Sequence, residues 1–265
     1  MPDLKQEPLV SIVTPSLNQG LFVEEAIRSV LAQDYPNVEH IVVDGGSSDE
    51  TLEIVRRYPH LRWMSEPDEG QTHALIKGLG EARGDVLAWL NADDYYVPGA
   101  FRTAVAALAA SGAGMVYGRC LLVDATGAVI GSTGLHEFDL RRELEWGTKV
   151  PQPATFFTRD AYDAGGGLDR RWSYAMDYDL WLKIAKRFPV HEVDSTFAAF
   201  RFHDASKTGS QAHRFWPEVH RISRLHGAPY LSWKYLYFTS ERRPRLGRWL
   251  YRIRDLRDRL TSRIT

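Results

Sequence analysis

The first half of the chain alternates between two hydrophobic periodicities. Short, continuously apolar runs are typical of strands buried on both faces, and they are separated by segments whose apolar residues recur at helical spacing. The strand-like runs are residues 9–14, 38–44, 61–64 and 85–90, and the helical segments are 22–33, 49–58, 70–82 and 98–110. This alternation predicts an α/β fold with a mostly parallel central sheet and helices on both faces.

The second half is less regular but still contains recognisable elements. Residues 114–132 are typical of a hairpin, and 154–169 predict a strand, a short helix and a Gly-rich turn. A helix is predicted over 177–188 and a strand over 195–203. From about residue 211 the pattern is helical and rich in aromatic residues. We therefore expect one α/β domain over residues 1–210 and a helical extension over 211–265.

Composition places the chain among soluble globular proteins. Apolar residues make up 44% and charged residues 25% of the 265 positions, which is ordinary for that class. No apolar run approaches the roughly 18–20 residues of a membrane-spanning helix, and the first residues lack the features of an export signal. The single cysteine, Cys120, excludes an internal disulfide and fits a reducing compartment. We expect a cytoplasmic protein.

The net charge of −1 hides an asymmetry. Residues 242–265 contain nine arginines and two aspartates, so this segment carries +7 and the preceding 241 residues carry −8. Seven apolar residues of the segment fall on one helical face: Leu246, Trp249, Leu250, Ile253, Leu256, Leu260 and Ile264. A basic amphipathic helix of this kind predicts binding to an anionic membrane surface. Packing against the body or a partner subunit is the alternative, and nucleic acid is excluded because the acidic body offers no groove for it.

Polar residues follow three of the predicted strands. Because parallel sheets bind ligands at the carboxyl ends of their strands, these residues are candidates for one site: Thr14, Pro15 and Asn18 after the first strand, Asp44 at the end of the second, and Asp93 and Asp94 after the fourth. Turn chemistry explains any one of these carboxylates. Three carboxylates on one edge indicate instead a site for a metal or for the hydroxyl groups of a ligand.

Several common catalytic motifs are absent from the sequence. The stretch GLGEARG, residues 78–84, follows a helix and precedes a strand, which is the reverse of the order that dinucleotide binding requires. There is no phosphate-binding GxxxxGK[ST] loop, no GxSxG nucleophile elbow and no HExxH zinc motif. The chemistry must therefore be sought among scattered carboxylates.

These carboxylates lie in blocks that resemble family 2 glycosyltransferases, the inverting enzymes of GT-A fold. The stretch VSIVTPSLNQGLFVEEAIRSVLAQDYPNVEHIVVDGGSSDET resembles the opening of that family. The blocks EPDEGQTHALIKGL, GDVLAWLNADD, GGLDRRWSYAMDYDLWLK and FRFHDASKT are similar to its later blocks, in the same order, over roughly residues 9–208. The resemblance implies a GT-A domain with a nucleotide-sugar-binding half to about residue 113 and an acceptor-binding half to about residue 210, followed by the helical, basic extension.

The resemblance also implies roles for the polar residues. The donor would be a nucleotide-diphosphate sugar, most simply a UDP-sugar, with Asp44 at the base, Asp93 near the ribose and Asp94 on a divalent metal. Mn²⁺ or Mg²⁺ would neutralise the charge that develops on the leaving diphosphate. His203 matches a position that supplies a third metal ligand or a diphosphate contact in related enzymes. The remaining donor contacts are expected from Thr14, Pro15, Asn18, Asp68, Lys77 and Lys207.

The matching position for the general base is Asp177. Inversion needs one group that takes the proton from the attacking acceptor hydroxyl. The family carries the base in a Glu-Asp pair, whereas here Met176 replaces the glutamate and leaves the aspartate intact. Asp179 is two residues further along the helix and is expected to serve the first helical turn.

The expected reaction is inverting transfer of a sugar to a saccharide or lipid-linked acceptor in bacterial surface-polysaccharide assembly. The C-terminal helix would hold the enzyme at the inner face of the cytoplasmic membrane. Two alternatives were weighed. A nucleotidyltransferase would need a Gly-rich, Arg-containing loop after the first strand, and TPSLNQG lacks one. A non-catalytic sugar-nucleotide-binding or scaffolding relative would be expected to lose Asp94 or Asp177, and both are present.

Overall fold

The computed structural model describes residues 7–203 and 212–228. The predictions for Lys207 and for 242–265 lie outside these residues. The strands are β1 (Val10–Ser16), β2 (Val38–Asp44), β3 (Arg62–Ser65), β4 (Val86–Trp89), β5 (Tyr95–Tyr96), β6 (Met115–Val123), β7 (Val129–Ser132), β8 (Thr155–Thr158) and β9 (Val190–Arg201). The helices are α1 (Val23–Leu31), α2 (Thr51–Arg56), α3 (Gln71–Glu81), α4 (Ala100–Ser111), α5 (Leu140–Trp146), α6 (Arg159–Gly165), α7 (Met176–Ala185) and α8 (Ala212–Leu225).

All nine strands belong to one sheet with the order β3-β2-β1-β4-β8-β6-β9-β5, and β7 pairs with β6. The pairs β3-β2, β2-β1 and β1-β4 are parallel, as the alternating sequence pattern predicts. The second half of the sheet is mixed, because β8 runs antiparallel to both β4 and β6 while β9 runs parallel to β6. This arrangement confirms the predicted α/β class and the GT-A fold.

Three features depart from the predicted elements. The strand predicted over 195–203 begins five residues earlier, at Val190, because its partly exposed first residues pair with β6 before a register shift. The two-residue strand β5 forms only through its pairing with β9. The short helix α5 begins at a capping residue, Asp139, whose carboxylate accepts the N–H of Arg142 at 2.6 Å. With two and seven residues, β5 and α5 are too short to show a periodicity.

Helix α3 packs directly on the parallel part of the sheet. A Cβ atom on Gly78 would lie 2.4 Å from Val13 Cγ1, so only glycine allows this approach between helix and strand. Below it, Trp89 of β4 stacks on Trp181 of α7, with ring centroids 5.4 Å apart. The close approach at Gly78 holds α3 against β1 and β2.

Helix α8 is the described part of the C-terminal extension, and it packs on the same hydrophobic core. Val219 and Ile222 are fully buried in the cluster that contains Tyr178 and Trp181 of α7. The start of the extension is therefore continuous with the folded α/β domain. Within residues 7–203 and 212–228, no helix has the length and apolar character needed to cross a membrane.

Candidate active site

The loop after β2 is organised around Asp44. Its side chain is 1% exposed, and its Oδ2 accepts hydrogen bonds from the N–H groups of Gly46 at 3.0 Å and Ser47 at 2.9 Å. The hydroxyl of Ser65, on β3, donates to the same oxygen at 2.7 Å. The structure thus places Asp44 at the sheet edge, as predicted, with a carboxylate that holds its own loop in shape.

The loops after β1 and β2 are tied together at Asn18. This residue adopts a positive φ of 52°, and its Oδ1 accepts the N–H of Ser48 at 2.9 Å while its own N–H donates to Ser47 Oγ at 2.7 Å. Thr14 differs from the other predicted contacts, because its hydroxyl is buried 2.8 Å from His40 Nε2. Burial lowers the pKa of His40 to about 3, so this pair is a neutral core contact rather than an open ligand contact.

Pro15, Asp68 and Lys77 lie on or beside the same edge. Pro15 is in β1, where it is paired with β2. Asp68 accepts the N–H of Gly70 at 2.7 Å, and its carboxylate occupies the space in which a Cβ atom on Gly45 would lie. Lys77 points from α3 and binds Glu66 at 2.6 Å. Asp68 therefore faces the loop that Asp44 organises, whereas the charge of Lys77 is already balanced.

The two aspartates after β4 have different surroundings. Asp94 is 1% exposed; its Oδ1 accepts the backbone N–H of Arg201 at 2.9 Å, and its Oδ2 accepts from Asn91 at 3.2 Å. Burial and the neighbouring charge of Asp93 raise the pKa of Asp94 well above its ordinary value. The Asp93 side chain is 20% exposed, and its Oδ2 lies 3.0 Å from His203 Nε2.

The placement of these two aspartates differs from the one predicted for the metal site. The prediction put Asp94 and His203 on the ion, whereas the geometry pairs His203 with Asp93 and buries Asp94 behind them. Carboxylate oxygens are donors that suit Mn²⁺ and Mg²⁺, whereas imidazole is more usual on Zn²⁺, Cu²⁺, Fe²⁺ or Ni²⁺. Neighbouring ligand atoms of an octahedral Mg²⁺, each about 2.0–2.1 Å from the ion, lie about 3 Å apart. The separation of 3.0 Å between Asp93 Oδ2 and His203 Nε2 fits that arrangement.

The protein itself offers few ligands for such an ion. Within the described part of the chain, no group of three or more His, Cys, Asp or Glu side chains is arranged to hold a metal. Divalent cations that act on phosphates commonly take one or two protein carboxylates and obtain the remaining ligands from phosphate oxygens and water. Asp93 and His203 therefore fit an ion that binds together with a diphosphate.

Arg201, the last residue of β9, organises this corner and was missed by the sequence analysis. It is 2% exposed, its Nε donates to the carbonyl of Asp93 at 3.0 Å, and its guanidinium forms an ion pair with Glu25. The same guanidinium lies over the ring of Phe22, 5.1 Å from its centroid. The rings of Phe22 and His203 are also in contact, with their centroids 4.9 Å apart. The sequence signal for a special role of Arg201 is its charge inside the apolar run FAAFRF.

Asp177 lies in the first turn of α7 and is partly buried. Its Oδ1 accepts the N–H of Tyr178 at 2.7 Å. Burial, with a smaller contribution from the negative charge of Glu218, raises the pKa of Asp177 to about 6. A carboxyl group with that pKa is well matched to accept a proton near neutral pH.

Asp179 faces a different direction and has a structural role. It is 3% exposed and binds Lys183 at 2.7 Å and His226 at 2.9 Å. These contacts lower its pKa despite its burial and tie α7 to the residue that follows α8. The expectation that Asp177 and Asp179 serve different purposes agrees with this placement.

The N-terminal end of α3 connects the acidic edge to the loop before Asp177. Gln71 donates to Asn91 Oδ1 at 2.6 Å, and the hydroxyl of Thr72 donates to the carbonyl of Trp172 at 2.6 Å. A cleft of about 240 Å³ lies between the N-terminal end of α3 and the loop before α7. It is lined by Glu69, Gly70, Gln71, Thr72, His73, Arg170, Ser173 and Tyr174.

The sheet order, with acidic residues at the ends of its parallel strands, is that expected of a GT-A fold. The sequence model of the family described as Glycosyl transferase family 2 matches residues 11–209. The chain therefore belongs to glycosyl transferase family 2. This membership decides against the alternative of a nucleotidyltransferase.

Individual relatives agree with the family match. An uncharacterized glycosyltransferase of Rickettsia felis is 31% identical over 220 residues, which cover 77% of this chain but only 35% of that protein. The structure of S. aureus TarS residues 1–349 in complex with UDP-GlcNAc has a TM-score of 0.69 at 18% identity, covering 88% of this chain and 72% of that one. The mannosyltransferase PcManGT from Pyrobaculum calidifontis, in complex with GDP-Man and Mn²⁺, has a TM-score of 0.61 at 20% identity, covering 83% and 67%.

Proposed function

We propose that this glycosyltransferase transfers a sugar from a nucleotide-diphosphate sugar to an acceptor hydroxyl, with inversion and with the help of a divalent metal. The observation that carries the proposal is the contact of 3.0 Å between Asp93 and His203 at the sheet edge, in a fold that also holds a carboxyl group, Asp177, with a pKa of about 6. The Asp93–His203 pair suits a metal ion bound to a diphosphate leaving group, and Asp177 suits the role of general base.

The donor contacts are proposed from the sheet edge. Asp44, Asn18 and Asp68 belong to three loops that contact one another at the ends of β1, β2 and β3. The neighbours of similar fold include complexes with UDP-GlcNAc and with GDP-Man, so we propose a nucleotide-sugar donor and favour a UDP-sugar. Pro15 would contact the donor from β1, and Thr14 would do so through its main chain because its hydroxyl is occupied.

Asp93 and His203 would hold Mn²⁺ or Mg²⁺ together with the diphosphate. When bound, such an ion neutralises the negative charge that develops on the leaving phosphate oxygens. Arg201 would hold Asp93 and His203 next to each other. Its guanidinium binds the main-chain carbonyl of Asp93, and Arg201 ends the strand that leads to His203. Asp94 would stabilise the position of Arg201 by accepting its backbone N–H.

Asp177 would take the proton in a single displacement. The acceptor oxygen forms a bond to the anomeric carbon as the bond from that carbon to the phosphate oxygen breaks, and the hydroxyl proton passes to the Asp177 carboxylate. The electron pair leaves with the nucleoside diphosphate. One displacement of this kind inverts the configuration at the anomeric carbon, and no covalent enzyme intermediate is needed.

The acceptor would approach through the cleft between α3 and the loop before α7. Its polar lining, with Arg170, His73 and Tyr174, suits a saccharide, either free or attached to a lipid. We propose a role in bacterial surface-polysaccharide assembly. Residues 242–265 would place the enzyme on an anionic membrane, where lipid-linked acceptors present their sugars.

A panel of nucleotide sugars tests this proposal. The full chain is incubated with each donor and Mn²⁺, and release of the nucleoside diphosphate is measured with and without excess chelator. We expect release from one donor or a small group of donors, and a large loss of release in chelator. Full activity in chelator would contradict the metal part of the proposal, and no release from any donor, with or without acceptor saccharides, would contradict sugar transfer itself.

A further inference from the structure

The N-terminal end of α7 is held by a carboxylate from α8. Glu218 accepts the backbone N–H of Ser173 at 3.0 Å, that of Tyr174 at 2.7 Å and that of Ala175 at 3.0 Å. These three N–H groups immediately precede α7 and have no partner within it, as is usual at a helix start. A carboxylate at this position satisfies the N–H groups and interacts favourably with the positive end of the helix dipole.

This contact fixes the segment that carries the general base. Asp177 follows Ala175 by two residues, and its carboxylate accepts the backbone N–H of the next residue, Tyr178. The orientation of the first turn of α7 therefore depends on what holds the loop in front of it. Glu218 binds that loop from one side, and Thr72 of α3 binds the carbonyl of Trp172 from the other.

We infer that Glu218 is a positioning residue for Asp177 and that α8, which lies beyond the family match at residues 11–209, forms part of the active site. The inference deepens the proposed function, since it assigns Asp177 as the base. It also changes the role of the C-terminal extension, whose first helix would serve catalysis and not only attachment.

The charges around α7 support a specific electrostatic effect of Glu218. Several charged groups on α7 and on the elements packed against it already have partners. Arg159 of α6 binds the carbonyls of Ala82 and Gly84, and Lys183 and His226 bind Asp179. Arg214 of α8 binds the Tyr174 hydroxyl, and Glu143 of α5 faces His136. The negative charge of Glu218 is the one that raises the pKa of Asp177 further.

The test compares Glu218→Gln with Arg221→Gln. Glutamine keeps the size of Glu218 and an oxygen that accepts a hydrogen bond, but it removes the charge. Arg221 is exposed on the same helix, so its replacement changes one charge without touching the loop. Aspartate labelled with ¹³C at Cγ reports the titration of Asp177 by NMR without any substrate, and an Asp177→Asn sample assigns the signal.

We expect the midpoint of Asp177 to move to lower pH in Glu218→Gln and to stay unchanged in Arg221→Gln. In the transfer assay, the acid limb of kcat/KM should move in the same direction. We expect kcat to fall about fivefold while the KM for the donor changes less than about twofold, since a helix-capping contact is worth about 1 kcal/mol and a tenfold change in rate corresponds to about 1.4 kcal/mol. An unchanged midpoint in folded Glu218→Gln overturns the inference, even if the chain proves to transfer no sugar.

A second variant covers the case in which Glu218→Gln does not fold. Glu218→Asp keeps the charge but is one methylene shorter, so it cannot reach all three N–H groups. We expect kcat to fall while the acid limb stays within the wild-type range, because the charge is retained. Wild-type kcat in Glu218→Asp would overturn the positioning role. A structural contact without a catalytic role predicts a lower melting temperature with wild-type kcat in Glu218→Asp, and that combination would also overturn the inference.

Discussion

His203 Nε2 lies 3.0 Å from Asp93 Oδ2, and this contact joins the end of β9 to the loop after β4. The carboxylate of the neighbouring Asp94 instead accepts the main-chain N–H of Arg201. Two adjacent carboxylates thus have different surroundings, since Asp93 is partly exposed at the sheet edge and Asp94 is buried inside the fold.

The first prediction separates these two aspartates by metal binding. Mn²⁺ affinity is measured by calorimetry in the presence of a nucleoside diphosphate. Asp93→Asn should lower the affinity by about 10- to 100-fold or more, since even the loss of a supporting residue costs that much. Asp94→Asn, which keeps an oxygen for the Arg201 N–H, should change the affinity by less than about threefold. The reverse order would restore Asp94 as the metal ligand.

The second prediction concerns the base. Asp177→Asn keeps the shape of the side chain but removes the proton acceptor, so turnover should fall by about 10²- to 10⁴-fold. Donor affinity should barely change, because the base acts on the acceptor hydroxyl. In the wild-type enzyme, kcat/KM should decrease as the pH falls through about 6, where Asp177 becomes protonated. Loss of donor binding in a variant that still transfers sugar would identify Asp177 as a donor ligand.

The third prediction is a stability effect of the same residue. The pKa of Asp177 is raised from 3.8 to about 6 by folding, so its contribution to stability is present below pH 3.8 and is lost as the pH rises through 6. Asp177→Asn should therefore raise the free energy of unfolding at pH 8 by about 1–3 kcal/mol and have little effect at pH 4.

Urea unfolding at the two pH values measures this difference. Asp160→Asn is a matched control, because Asp160 is an exposed aspartate in the first turn of α6. It should show no such gain at pH 8. An equal change at pH 4 and pH 8 in Asp177→Asn would mean that the stability effect does not come from titration.

The sequence predicted the parallel half of the fold well, because its strands are buried on both faces and its helices are amphipathic. The site was harder to predict. Strand ends and family blocks predict Asp44, Asp93 and Asp177 as site residues, but the different surroundings of Asp93 and Asp94 depend on which of the two carboxylates accepts the backbone N–H of Arg201. That contact joins residues more than a hundred positions apart, and no local pattern encodes it.

Glu218 illustrates the same limit. A glutamate in a helix that begins after residue 211 has no local feature that points to the start of another helix. Its partners are backbone N–H groups, which leave no trace in the identity of the residues that carry them. Only the packing of α8 on α7, through Val219 and Ile222, brings the carboxylate to that position.

The fourth prediction concerns residues 242–265. If this segment forms an amphipathic helix on anionic lipid, the intact chain should float with anionic vesicles at low salt and less so at high salt, because each arginine near the surface contributes about 1 kcal/mol of screened attraction. A chain that ends at residue 241 should not float and should keep its activity on a short soluble acceptor. Failure of the intact chain to float at any salt would end the membrane interpretation. A change of oligomer on truncation would favour a partner subunit.

The central claim is a single displacement assisted by Asp177 on a donor held at the Asp93–His203 edge. The most direct measurement is the anomeric configuration of the first product, followed by ¹H NMR during turnover with an α-linked nucleotide sugar and Mn²⁺. The account predicts a β-linked product from the wild-type enzyme and almost none from Asp177→Asn or in excess chelator. An α-linked product, formed at an undiminished rate by Asp177→Asn, would contradict it.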